Sequence, residues 1–266
     1  MSEIISGTGV LLAVGAKLIN DVCGPSAKYL GKELESYTKV GVANLQRVFE
    51  KAVKRLEIQG KKEGVVPARV LKNVLQEGYF CGDELQAEYL GGILASSKTS
   101  AERDDRGVTY SVLLSSLSSY QIRTHYLLYS CILRSEQHRW DETIKWMLRR
   151  FGITVAIENE LYLKAMDFSG NESPGPITEH VFTGLQKHGL AEKGLTVVTP
   201  DKRIAKQPAP PFRYFYPTLA GTELFLWGLG VGDRGFEAYT PELLKDSDLP
   251  ATIPPLDVQL GQVSWD

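Results

Sequence analysis

From Ala27 to Leu56 the chain places an apolar or small residue every third or fourth position: Ala27, Leu30, Leu34, Tyr37, Gly41, Leu45, Val48, Ala52 and Leu56. That spacing lays one continuous stripe along an α-helix. It predicts a single long helix over about residues 25–60. A helix with one apolar stripe must bury it, most simply against other helices, so the chain is expected to be mainly α. Cys23-Gly24-Pro25 sets the start, with Gly past one helix end and Pro in the next first turn. Between Pro25 and Lys62 there are nine Lys/Arg and four Glu. The face away from the stripe is therefore net positive and reads as a solvated outer face. A basic amphipathic helix is also suited to a membrane surface or a partner.

The pattern continues helically. Pro67 opens a helix with Val70, Leu71, Val74, Leu75 and Tyr79 on one side. Asp83 is placed to cap another, which carries Leu85, Tyr89, Leu90, Ile93 and Leu94. Lys98 to Gly107 reads as a loop. Val108–Leu117 and Ile122–Leu133 give two further helices joined near Ser118-Ser119, and Asp141–Arg150 gives another. Residues 153–157 fit a strand or a helix start. After the Ser169–Pro176 linker the pattern changes. Ile177–His188 is a helix ended by Gly189, Leu195–Thr199 and Phe212–Tyr216 are strands, and Leu219–Leu229 is a helix. Helix, hairpin, helix is the order that closes a winged helix. Gly230 to Asp266 holds seven acidic and two basic residues and four prolines, and reads as an irregular acidic tail with one short helix near Glu242-Leu243-Leu244. Four regions follow: an amphipathic helical region 1–62, a central helical domain 63–150, a winged-helix-like module 151–230 and the tail 231–266.

Cys23, Cys81 and Cys131 are odd in number and far apart, which argues against a disulfide framework and for a reducing compartment. No positively charged leader precedes Ile4, so a cytoplasmic protein is expected. Ile4 to Ala16 is uncharged and apolar, but its 13 residues fall short of the ~20 that span a bilayer. It reads as a buried or dimer-packed helix, with a membrane-seeking segment as the alternative.

No reaction centre is legible. His125, His138, His180 and His188 include no i,i+4 pair and none sits beside paired cysteines, so no metal is expected. Gly91-Gly92 lies inside a helical pattern, and the Gly228–Gly232 run follows a helix, so neither is a phosphate cradle. No Gly-x-Ser-x-Gly elbow is present. The carboxylate pairs are neighbours on helix surfaces or in a loop, with nothing to separate their pKa values. The expectation is a chain without catalysis, cofactor or small-molecule substrate. The formal charge of −2 excludes a protein-wide basic field and leaves only local nucleic-acid contact. Residues 187–213 carry six Lys/Arg and two acids. In a winged helix, Lys187, Lys202, Arg203, Lys206 and Arg213 would face phosphates from the third helix and the wing, and Thr178, Glu179, Thr183, Gln186 and Lys187 would face outward.

Two stretches carry a family resemblance. The first begins at Val66-Pro67 and runs through Gly82-Asp83-Glu84-Leu85-Gln86-Ala87-Glu88-Tyr89-Leu90-Gly91-Gly92-Ile93-Leu94-Ala95-Ser96-Ser97 to Val108–Tyr110 and Leu113-Leu114-Ser115-Ser116-Leu117-Ser118. The second is Phe182-x-x-Leu185-x-x-His188-Gly189-Leu190 with Tyr216-Pro217-Thr218-Leu219-Ala220-Gly221-x-x-Leu224. With the Pro25–Leu34 lead-in, about residues 24–230 resemble the bacterial Abi-alpha (abortive infection alpha) domain family. Residues 134–175 and the acidic tail have no counterpart in that pattern. The resemblance implies an anti-phage, abortive-infection component that works by binding a protein partner or itself, and it brings no catalytic or ligand-binding residues. The alternatives from other classes are a DNA-binding winged-helix regulator and a membrane-acting effector using Ile4–Ala16 and the basic helix.

Overall fold

The computed structural model describes residues 27–61, 63–101, 103–135, 153–192, 197–198, 212–240, 243 and 258–262. The expectations for Ile4–Ala16, for the helix Asp141–Arg150, and for Lys202, Arg203 and Lys206 lie outside these residues, as does nearly all of the short helix near Glu242.

The protein is mainly helical. Helices α1 (Ala27–Ile58), α2 (Ala68–Tyr79), α3 (Glu84–Ser97), α4 (Gly107–Ser115) and α5 (Ser119–Ser135) come first. Strand β1 (Ile153–Glu158), α6 (Asn159–Met166), α7 (Pro174–Lys187), β2 (Ala191–Glu192), β3 (Val197–Val198), β4 (Phe212–Pro217) and α8 (Leu219–Gly228) follow. A 3-10 helix at Gly232–Ala238 and β5 (Val258–Gln262) complete the order.

Helix α3 is the hub. Every residue of it from Ala87 to Ser97 is buried, because it is covered on several sides. Asp83 caps it, its carboxylate accepting the Gln86 N–H at 2.8 Å. Gly91 and Gly92 let two other helices close in. A Cβ at Gly91 would stand 2.8 Å from the Val48 carbonyl oxygen of α1, and one at Gly92 would collide with the Gly228 carbonyl of α8. The pair excluded above as a phosphate cradle is thus a point of helix crossing.

The strands form one antiparallel sheet in the order β2-β4-β1-β5, with β3 also paired to β4. Val155 lies opposite Phe215 in the β1–β4 register and opposite Leu260 in the β1–β5 register. Val155, Ile157 and Phe215 turn inward to the core. Residues 153–157, open between strand and helix start by sequence, are therefore strand. The segment read as an irregular tail differs from expectation. Its 3-10 turn buries Ala238 against the core, and its Val258–Gln262 stretch adds a fifth strand. One contiguous apolar core runs from Val48 through Tyr89, Tyr126 and Phe215 to Tyr239, and so draws on all four sequence regions.

Candidate binding surfaces

Helix α1 presents two different faces. Gly41, Asn44, Val48, Ala52 and Arg55 are buried. The Asn44 amide donates to the Tyr79 carbonyl at 3.1 Å, and the Tyr79 ring lies over Gly41. Toward α3 the contact is ionic. Lys51 Nζ sits 2.6 Å from both Glu84 Oε1 and Glu88 Oε1, and Arg55 donates to Glu88 Oε2 at 3.2 Å. Glu88 and Arg55 are buried. Burial opposes the charge on Lys51, but its contacts with Glu84 and Glu88 outweigh that and hold its pKa above the ordinary range. The hydrogen bond from Lys51 likewise holds Glu84 below its ordinary range. At its C-terminal end α1 is tied to the 3-10 region by Gln59 Nε2 to the Gly230 carbonyl at 2.6 Å and Lys61 to Asp233 at 2.6 Å.

About 120° around the same helix, at 100° per residue, lies a second apolar row. Val42, Phe49 and Val53 are 44%, 40% and 52% exposed, and Leu56 is half-buried. With Gln46 they are spaced 4, 3, 4 and 3, the seam pattern of a helix that packs against another helix. The outer face of α1 was expected to be simply charged and solvated; this row was missed. The seam repeat is nonetheless present in residues 42–56, overlaid on the longer stripe one-third of a turn away.

The buried titratable groups elsewhere serve the fold. His125 has no exposed surface. Its Nε2 lies 2.9 Å from the Gly221 carbonyl, which can only accept, so Nε2 carries the proton. Its Nδ1 then accepts from the Tyr89 hydroxyl at 2.8 Å. Burial pushes the His125 pKa down to about 4. Tyr129 donates to the Leu190 carbonyl at 2.8 Å and accepts from the Thr218 N–H at 2.9 Å, and burial pushes its hydroxyl up to about 12. Cys81 and Cys131 are buried free thiols, and desolvation pushes Cys81 up to about 11, far from the range of a reactive thiolate. Among the described residues, no three His, Cys, Asp or Glu side chains converge to hold a metal ion. No helix among them is long and apolar enough to cross a membrane.

Of the five basic residues singled out for phosphate contact, two are described. Lys187 is exposed at the end of α7. Arg213 is half-buried within β4. Its guanidinium lies 5.2 Å from the centroid of the Tyr162 ring and is hydrogen-bonded to Asn159, and desolvation lowers its pKa. It is engaged by α6. Of the outward residues expected on α7, Glu179, Thr183, Gln186 and Lys187 are exposed, but Thr178 is 3% exposed and packs inward. The helix begins at Pro174, and its inward face, Thr178, Val181, Phe182 and Leu185, includes a threonine that reads as polar by sequence.

No protein-family model, curated protein or solved structure matches the chain.

Proposed function

We propose that this protein is a non-catalytic, abortive-infection-type anti-phage component that acts by binding a protein partner or a second copy of itself. The observation that carries the reading is the exposed seam Val42–Phe49–Val53 on α1. Its opposite flank is locked to α3 by a buried ion cluster, so the seam is held rigidly and no rearrangement is needed to present it. The seam carries no charged residue and exposes Phe49 between valines, with Gln46 its one polar position; depletion of charge and an aromatic residue suit an interface centre, and association removes that apolar area from water. The resemblance of residues 24–230 to the Abi-alpha family supplies the anti-phage context. The test is plating efficiency across a broad phage panel on cells with and without the gene. Protection against at least one phage is expected; equal plaque counts throughout would end the reading.

A second reading has its own support. The order α5–β1–α6–α7–β2/β3–β4, with β4 between β1 and both β2 and β3, supports reading this part as a winged helix, in which α7 would be the helix that reads DNA. A DNA-binding regulator would show salt-sensitive duplex binding that weakens when Lys202, Arg203 and Lys206 are changed to Ala. Absence of any duplex shift at low salt would dismiss it. A membrane-acting role for Ile4–Ala16 and the basic helix is tested by pelleting with anionic liposomes, and a protein left in the supernatant at low ionic strength rejects it.

A further inference from the structure

A groove of about 620 Å³ runs along α7 beside the turn that joins α4 to α5. Its walls carry Ser116, Ser118, Gln121, His180, Lys187 and His188. One carboxylate, Glu179, also faces it. The groove collects residues about one or two helical turns apart on α7 and sets them against side chains almost sixty positions earlier, so the sequence offered no motif for it.

We propose that this groove binds the phosphate group of a nucleotide-sized ligand. Gln121 is 4% exposed. Its Oε1 accepts the Ser118 N–H at 2.9 Å, and Ser118 Oγ accepts the Gln121 N–H at 3.3 Å, a reciprocal cap at the start of α5. That cap fixes which end of the amide is oxygen and turns Nε2 toward α7. Space for Nε2 exists only because residue 184 is glycine: a Cβ there would collide with it. Across the gap Nε2 reaches only the His180 ring nitrogen and the His180 carbonyl, both at 3.4 Å, well beyond the ~2.9–3.0 Å of a strong N–H···O bond. A buried, oriented amide donor therefore holds only weak acceptors where it faces the groove.

The surrounding chemistry selects the ligand. Lys187 is donor-only, the imidazoles of His180 and His188 can donate, and the Ser116 and Ser118 hydroxyls can donate or accept, against the single carboxylate of Glu179. Such a lining suits a group rich in acceptor oxygens and negatively charged, which is phosphate. A metal ion is a poor fit, since no three metal-ligating side chains converge among the described residues. The volume lies within the ~300–1,000 Å³ of small-molecule sites and exceeds what inorganic phosphate would fill, so sugar and base would occupy the rest. The occupant is therefore a free nucleotide, whose base is unpaired, and a duplex serves as the contrasting probe. The inference does not depend on the α1 seam.

The test is calorimetric titration of the full chain with adenosine 5′-monophosphate, adenosine and a short blunt DNA duplex, using wild type, Lys187→Glu, Thr183→Glu (Thr183 also lines the groove) and the exposed control Lys164→Glu, which does not line it. Loss of one charge-assisted contact corresponds to about tenfold or more in affinity. Saturable binding of the monophosphate at least about tenfold tighter than adenosine supports the site, with both groove variants weakened and the control unchanged. Duplex binding weakened by the groove variants, with no preference for the monophosphate over adenosine, overturns the inference, since paired bases cannot enter the groove; that outcome belongs to the DNA-binding reading of α7. The inference is overturned if the monophosphate binds no tighter than adenosine. It is equally overturned if the two groove variants bind like the control. Because the seam of α1 is untouched in all four proteins, plating efficiency stays separable from this outcome.

Discussion

The hydroxyl of Tyr89 donates to His125 Nδ1 at 2.8 Å inside the core, joining α3 to α5, while His125 Nε2 donates to the Gly221 carbonyl of α8. Three helices thus meet on one neutral imidazole. Tyr129 and Phe225 pack beside the ring, and His125 is fully buried, so a positive charge placed on it is desolvated.

That arrangement predicts acid sensitivity. His125 titrates near 6.5 when unfolded and at about 4 when folded, so the unfolded chain binds the extra proton first. The stabilisation is complete above pH 6.5 and is lost as pH falls from 6.5 through 4, by about 3 kcal/mol in total. Urea unfolding at pH 7, 5.5 and 4 measures it. His125→Gln is expected to be less stable at pH 7 but to lose much of that slope; an unchanged slope in the variant would show that other groups carry it.

The cluster on α1 and α3 predicts a different cost. Glu88→Ala leaves the buried Arg55 guanidinium without its carboxylate and removes one of two partners from Lys51. Breaking one side of a buried pair costs about 3–5 kcal/mol. Denaturant unfolding of Glu88→Ala should show a loss in that range. Arg69→Ala, whose partner Asp105 lies 2.5 Å away at the surface, should lose less than about 1 kcal/mol.

The crossing of α3 and α8 predicts a sharp contrast between two glycines. Gly92→Ala drives a methyl into the Gly228 carbonyl, which is backbone and cannot swing aside. A loss of about 3 kcal/mol or more is expected. Gly82→Ala meets nothing within 4 Å and should be nearly neutral. Thermal melting of the two proteins side by side decides it; equal midpoints would refute the close approach.

Local rules made most of the helices legible. Asp83 announced the start of α3, and Gly189, at φ +67°, the end of α7. The helix and strand order from Ile177 to Gly228 follows from periodicity and turn residues. Partnerships between distant residues were not legible. Lys51 and Glu88 look like ordinary surface charges until two helices set them 2.6 Å apart. Thr178 reads as polar and outward, yet the direction of α7 turns it inward. Val258–Gln262 became a strand only because β1 offered a free edge to pair with. The candidate surfaces divide the same way. The α1 seam is written in residues 42–56, whereas the groove needs Gln121 and His180 brought together from different helices.

The central claim is that the exposed row on α1 is the working surface, and one measurement addresses it directly. Phage plating efficiency should be compared for wild type, Phe49→Asp/Val53→Asp and the control Val112→Asp, which changes an equally exposed valine on α4. All three should retain the wild-type circular dichroism, since none of these side chains is buried. The account predicts that the double variant loses protection while the control keeps it. Full protection by the double variant, with expression matched to wild type, would contradict it.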